Sequence, residues 1–380
     1  MQDFDLDNFE PIARIVVIGV GGAGNNAVNR MIDENLGAVE FYVANTDRQT
    51  LATSKARNRI VLGPAVTGGL GAGGEPSVGR EAAMASVEEI RKVVKGANMV
   101  FIAAGMGGGT GTGAAPIVAQ VAREEGALTV AIVTRPFTFE GKRRIANSVE
   151  GLNELKDAVD AIIIVSNDKL LMVSGTQPIS EAFSESDRVL AQSVKTVTDL
   201  ILMPAIINLD FADVRNTLKD SGISLIGFGL GQGPNRAQEA AQNAINSPLL
   251  EASINGARRA ICSVTCGPSV SLYEAQEAVD LIIEAAGNNI DVKFGVAINN
   301  QLTDQILVSV IASDFTEEFD FTSVPNYTQQ LRPQRREAEN TDGEVKEKNE
   351  IEGKKEEEEV SEAVSEDSIL PNFLKNKRID

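Results

Sequence analysis

The chain has 380 residues, 43% of them hydrophobic, with 35 Lys and Arg against 54 Asp and Glu, a formal charge of -19 at pH 7. It contains no His and no Trp, which excludes His triads, imidazole bases and His metal ligands and leaves Asp, Glu, Lys, Tyr and Cys to move protons. The acidic excess argues against binding nucleic acid or an anionic bilayer, and no apolar run approaches the length of a membrane span.

The acidic start, "MQDFDLDNFEPIARIVVIG", has neither a signal nor a transit pattern, so residues 1–11 read as a flexible lead and the expected location is cytoplasmic. From residue 12 to about 165 one rhythm repeats: a β-branched strand, a glycine-rich loop, a helical stretch. The strands are "ARIVVIGV", "EFYVAN", "NMVFIAAG", "LTVAIVT" and "AIIIVSN". Nearly continuous apolar strands separated by helices belong to a parallel sheet covered on both faces. Residues 12–177 are therefore expected to form a doubly wound, Rossmann-like α/β domain with its ligand at the carboxyl ends of the strands.

The first strand runs into "GVGGAGNNAVNRMI", where Gly19, Gly21 and Gly24 satisfy GxGxxG, and "FYVANTD" ends in Asp47, about where a ribose-binding acid sits in a dinucleotide fold. Alone, this pattern supports NAD. A second loop, "TGGLGAGGEPSVGREAA", precedes another helix. The third, "AAGMGGGTGTGAAPIVAQVA", is the most specific. Gly107, Gly108, Gly109, Gly111 and Gly113 are expected to curl backbone N–H groups around an anion, Thr110 and Thr112 to add hydroxyl donors, and Pro116 to open the helix behind. No Lys follows, so this is not a Walker loop, and charge must be neutralised by amide dipoles and a metal ion, Mg²⁺. Three such loops at one sheet edge exceed what a dinucleotide requires and suit a triphosphate.

Residues 178–203 read as one long amphipathic helix between Pro178 and Pro204. A smaller α/β domain follows over 204–316, with strands in "SLIGFGLG", "RRAICSVTC" and "ILVSVIAS" and helices around "NRAQEAAQNAI" and "LYEAQEAVDLIIEAAG". The glycines of "GFGLGQGPNRAQEA" are expected to serve tight packing. Cys262 and Cys266 alternate within a strand and read as reduced core thiols. In "NLDFADV", Asp210 and Asp213 stand three apart at a helix start, where local sequence favours Asp210 as the N-cap and Asp213 as the third helical position. Residues 317–367 are charged, poor in large apolar residues and expected to be a disordered acidic linker. Apolar and basic residues return together in 368–380, the pattern of a docking peptide.

With "GGGTGTG" in place, the chain resembles the tubulin and FtsZ superfamily. The runs "NTDRQTL", "TRPFTFEGKRR", "SNDKLL" and "NLDFADV" resemble FtsZ, the tubulin-like cell-division GTPase family of bacteria, over residues 12 to about 316 and again at the C-terminal peptide. The resemblance implies a GTP-binding domain joined by a long central helix to a smaller α/β domain and a disordered tail. GTP/GDP would be the ligand, with Mg²⁺ and a monovalent cation, and no protein metal ligands are expected.

Carried over by residue, it implies nucleotide contacts from Gly21, Gly22, Ala23, Gly24 and Asn25. Ala72 and Gly73 would lie toward the γ-phosphate, and Gly107, Gly108, Gly109, Thr110, Gly111 and Thr112 would hold the phosphates. Thr134, Pro136, Glu140 and Arg144 would line the ribose side, and Asn167, Phe183 and Asp187 the ribose and base. From the residues alone, Phe183 reads as core packing and Asp187 as a solvated helix face. The resemblance makes Asn208, Asp210 and Asp213 catalytic on the GTP of the next subunit in a head-to-tail homopolymer. It makes Ile369, Leu370, Pro371, Phe373 and Leu374 the dock for membrane-tethering and regulatory division proteins, at the mid-cell division site. Ser193 to Val197 and Ala205 depart from the family's glycines, which is expected to stiffen the central helix and affect switching. Two other classes stay open: a NAD oxidoreductase, and a scaffold that binds GTP without hydrolysing it.

Overall fold

The computed structural model describes residues 13–37, 39–174, 179–202, 205–287 and 289–315. The lead 1–11, the linker 317–367, the peptide 368–380 with its docking residues, Pro178 and Pro204 lie outside the described residues. In chain order, β1 (Ile15–Val20) leads into α1 (Gly21–Asp33), then β2 (Glu40–Asn45), α2 (Arg48–Thr53), β3 (Asn58–Val61), α3 (Pro64–Thr67), α4 (Pro76–Met84) and α5 (Val87–Val94). Next come β4 (Met99–Gly105), α6 (Thr110–Glu124), β5 (Leu128–Arg135), α7 (Lys142–Ala158), β6 (Ala161–Ser166), α8 (Asn167–Ser174) and α9 (Ile179–Leu202). The rest is α10 (Phe211–Leu218), β7 (Gly222–Gln232), α11 (Arg236–Ile245), β8 (Ala257–Cys266), α12 (Leu272–Ala286), β9 (Asp291–Ile298) and β10 (Gln305–Phe315).

The strand order is β3-β2-β1-β4-β5-β6-β7-β10-β8-β9, and the first seven are parallel. β1, β4 and β6 are buried along almost their whole length, as strands covered on both faces must be. Ile15, Val17, Phe101 and Ile163 point to one face, against Ala27 and Val28 of α1 and Val189 and Val194 of α9. Val16, Ile18, Val100 and Ile102 point to the other, against α4 to α7. Two strands, β3 and β9, are absent from the sequence reading. β3 is short with two exposed residues, and β9 is a sheet edge exposing Phe294 and Ile298, so neither carries the apolar signal of a covered strand. β7 belongs to both halves: Gly222 to Ser224 pair with β6, and Leu225 to Gln232 pair antiparallel with β10. The central helix is therefore not the sole link between them.

The chain's course sets the positions of the candidate residues. α8 follows the carboxyl end of β6, and β7 begins beside Ala161, at the amino end of β6. Between them α9, with 24 residues, spans about 36 Å and returns the chain from the carboxyl edge of the sheet to its amino edge. Arg123 near the C-terminus of α6 pairs with Asp220 in the turn after α10, fixing that turn at the amino edge.

In β7 the glycines do what their spacing suggests. A Cβ at Gly227, Gly229 or Gly231 would collide with the carbonyl oxygens of Ala244, Ala240 and Arg236, so α11 lies on backbone rather than on side chains. Cys262 and Cys266 are free and buried, and burial pushes the Cys262 thiol up to about 12. Gly229→Val forces α11 off the strand and is expected to lower unfolding free energy by about 3 kcal/mol in denaturant titration; an unchanged midpoint would contradict this packing.

Candidate functional site

The strand order reverses between β1 and β4, which is where an open parallel sheet leaves a crevice for a ligand. Both strands end in glycines that open helices. Gly21 has φ +74°, and a Cβ there would come within 2.7 Å of the Gly111 nitrogen. The N-termini of α1 and α6 thus converge, each presenting unpaired N–H groups and the positive end of a helix dipole. Gly107 has φ +98° and lies against the Arg144 carbonyl, whereas nothing stands within 4 Å of a Cβ on Gly22 or Gly108. These two face open space.

Three expectations about the loops need correction. α6 begins at Thr110, so Pro116 lies inside the helix instead of opening it. Gly111 and Gly113 are helical, and their missing Cβ atoms make room for the carbonyl oxygens of Gly105 and Pro76. Thr112 is turned inward: its buried Oγ1 accepts the Gly107 N–H at 2.8 Å and so braces the loop, while the Thr110 hydroxyl meets that of Thr46 at 2.7 Å. In the first loop, Gly22 and Ala23 are exposed but Gly24 and Asn25 are buried. With its amide turned to satisfy both ends, Asn25 donates to the carbonyls of Gly21 at 2.9 Å and Gly19 at 3.0 Å and accepts from Asn45 at 3.3 Å. Asn25 holds the loop's shape from inside.

The loop of residues 68–75 rims this cradle. Ala72 and Glu75 pack against Gly109, whose Cβ would come within 2.9 Å of the Ala72 Cβ and of the Glu75 nitrogen. Gly73 has φ +61° and open space around it. Asp47, the candidate ribose acid of a dinucleotide site, instead caps α2: it accepts from the Gln49 N–H at 2.8 Å and the Thr50 hydroxyl at 2.9 Å. These bonds hold its carboxyl below its ordinary pKa, and NAD loses its second signal.

On the other side of the cradle, Thr134 and Pro136 are buried at the end of β5. Glu140 accepts the Phe137 N–H at 2.9 Å and pairs with Arg144. Asp168, not singled out from sequence, accepts from the Thr138 N–H at 2.9 Å and its hydroxyl at 2.5 Å, tying this turn to α8. Asn167 accepts from Ser186 of α9 at 2.9 Å, placing Phe183 and Asp187 beside the same crevice. Neither fits its local reading fully. Phe183 is 42% exposed and meets Phe137 edge-on at 5.0 Å, so it is not core. Asp187 is half-buried and not a fully solvated face; burial pushes its carboxyl up to about 7, against the opposing pull of Arg30.

Asn208, Asp210 and Asp213 lie together but elsewhere. Asp210 is the N-cap of α10, accepting the Asp213 N–H at 2.8 Å, and Asn208 accepts the Ala205 N–H at 2.7 Å. Asn208 and Asp210 are exposed and Asp213 is half-buried. Neither carboxylate forms an ion pair among the described residues. They follow α9 at the amino edge of the sheet, a helix length from the glycine loops at the carboxyl edge. Among the described residues no group of three His, Cys, Asp or Glu is placed to hold a metal ion, and no helix is long and apolar enough to cross a membrane.

Comparison with known proteins agrees with this fold. Residues 14–175 match the GTPase domain of the tubulin/FtsZ family, and residues 222–316 match the C-terminal domain of the FtsZ family. A structure described as an empty FtsZ dimer from M. jannaschii is similar at 40% identity and a TM-score of 0.78, over 81% of this chain and 90% of that one. A point variant of M. jannaschii FtsZ matches at 40% identity and 0.78, over 82% and 94%. GDP-bound CetZ1 from Haloferax volcanii, at 20% identity and 0.70 over 80% and 95%, shares the fold.

Thr112→Val leaves the buried Gly107 N–H without its acceptor, at a cost of about 1–3 kcal/mol. It is expected to weaken GDP binding in equilibrium titration by about tenfold, with Thr112→Ser near wild type; equal affinity in all three would contradict the brace.

Proposed function

The chain belongs to the tubulin/FtsZ family and is a GTPase that binds GTP and GDP; from that premise we propose that it assembles head to tail into filaments that organise cell division. Each interface would combine the glycine cradle of one subunit with Asn208, Asp210 and Asp213 of the next. The single observation that carries this is the separation of the two groups on opposite edges of one sheet. Acids a helix length away cannot reach the nucleotide of their own subunit, and a contact between unlike faces propagates instead of closing. The dimer described for the M. jannaschii relative supports association of such chains.

Within the cradle, Gly107 to Thr110 and the N-terminus of α1 would bind phosphate oxygens. Glu140, Arg144 and Asn167 would hold the ribose. Phe183 would stack on the base, and ionised Asp187 would accept from the guanine N1–H and amine, leaving adenine unpaired. The described residues offer Mg²⁺ no acid cluster, so it fits as an ion carried on the phosphates, where it would neutralise developing charge; a monovalent cation is proposed on the resemblance alone. In hydrolysis, Asp210 and Asp213 would orient the attacking water, and loss of the γ-phosphate would loosen the interface. Ile369, Leu370, Pro371, Phe373 and Leu374 would dock on tethering proteins at the division site in the cytoplasm. Binding of GTP without hydrolysis is disfavoured by the presence of Asn208, Asp210 and Asp213 together at the start of α10.

Asp213→Ala is expected to bind GTP and form filaments while hydrolysing at most about 1% of the wild-type rate. Gly108→Val should not bind nucleotide, because its side chain enters the open space of the cradle. A mixture should recover activity, since the Gly108→Val subunit offers intact acids to a GTP-loaded neighbour. Normal turnover by Asp213→Ala alone would refute the assignment.

Asp187 adds a pH dependence. Its carboxyl lies near 7 in the folded protein, above the ordinary Asp value of about 4. The folded chain therefore binds the extra proton between these values, and this group's contribution to stability falls as pH rises through that window. Because guanine needs the ionised form, GTP affinity should rise about tenfold from pH 6 to pH 8, and Asp187→Asn should flatten the profile. A flat wild-type profile would contradict the role of Asp187.

A further inference from the structure

The rim loop of residues 68–75 carries five glycines at positive φ, namely Gly68, Gly69, Gly71, Gly73 and Gly74, so its backbone has a large entropy to lose on ordering. Its front end is held where the Arg48 N–H donates to the Gly69 carbonyl at 3.1 Å. Its rear end is tied to α7 by two residues one turn apart: Asn147 donates to the Gly74 carbonyl at 3.3 Å, and Arg143 pairs with Glu75. The same first turn of α7 sets the Arg144 carbonyl against Gly107. One helix end therefore touches both the phosphate loop and the loop that rims it.

Glu75 is the anomaly in this arrangement. Its backbone lies against Gly109 and its carboxylate is 48% exposed, an anion at the edge of a cradle built for a polyanion. Arg143 is the cation that compensates it. We propose that Arg143 is a positioning residue for GTP: it neutralises Glu75 and, with Asn147, holds the rim loop closed against Gly109, so that the protein prefers GTP to GDP. This rests on Ala72 and Gly73 facing the γ-phosphate.

The pair is exposed, so the expected effect is a two- to fivefold change, about what a surface ion pair delivers. The test is equilibrium binding of a non-hydrolysable GTP analogue and of GDP to the full chain, at concentrations where it is monomeric. Arg143→Ala should lower the preference for the GTP analogue about two- to fivefold, less so as salt screens Glu75. Arg143→Ala combined with Glu75→Gln should restore it, which no purely structural role predicts. Gly73→Asp, at a left-handed position with open space around it, tests the underlying premise by placing a carboxylate at the loop tip. If Gly73→Asp lowers the preference and Arg143→Ala does not, Arg143 has no such role although the loop faces the γ-phosphate. If Gly73→Asp leaves the preference unchanged, the loop does not face it and the proposal falls with that premise. Equal weakening of both nucleotides by Arg143→Ala, without rescue in the double variant, also overturns it.

Discussion

The molecule is organised by the polarity of its parallel sheet together with the length of α9. Parallel strands deliver every loop that follows them to one edge, and the reversal between β1 and β4 opens a crevice where two helix N-termini meet. Whatever follows β6 must then return across the whole sheet before a further parallel strand can begin. A helix of 24 residues makes that return. It leaves "NLDFADV" on the far edge, unable to contribute to the crevice of its own chain. Proposed assembly-dependent hydrolysis follows from this geometry, since it asks a second copy to supply what one copy keeps out of its own reach.

Close backbone approach is the second recurring device. Gly21 admits α6 beside α1, Gly113 admits α4 beside α6, and Gly227, Gly229 and Gly231 admit α11 onto β7. The two halves are joined by β7, by α9 and by a buried charge cluster. In that cluster Glu251, from the loop after α11, stands 3.9 Å from Arg135 at the end of β5 and 3.9 Å from Lys169 of α8. Burial raises the Glu251 carboxyl and lowers the Lys169 ammonium from their ordinary values. Because Arg135 precedes Pro136 and Lys169 follows Asn167 by two residues, a shift of the second domain would be felt at the proposed ribose side of the crevice. Along α9, Ser193 bonds back to the Val189 carbonyl at 2.7 Å, so its side chain acts within the helix.

Much of this was legible because it depends on local pattern. The buried strands announce themselves as apolar runs, and Asp210 caps α10 as its spacing with Asp213 indicates. What failed depends on where neighbours fall. A glycine at positive φ and one that merely yields space look alike in sequence, so Gly107 and Gly111 read alike there yet play two roles. Thr112 and Asn25 face inward because of Gly107 and Asn45, contacts that spacing does not encode. Local sequence misplaces Phe183 and Asp187 because their neighbours, Phe137 after β5 and Arg30 of α1, lie far away in the chain. Arg143, Asn147 and Glu75 carry no signal beyond ordinary surface charge and polarity, although "TRPFTFEGKRR" marks the region.

The central claim is that one active site is made from two subunits. It is tested most directly by GTP turnover per subunit measured against protein concentration, with light scattering recorded in parallel. The account predicts almost no turnover while the chain is monomeric, then a steep rise at the concentration where scattering begins. A constant rate per subunit that extends below the onset of scattering would contradict it.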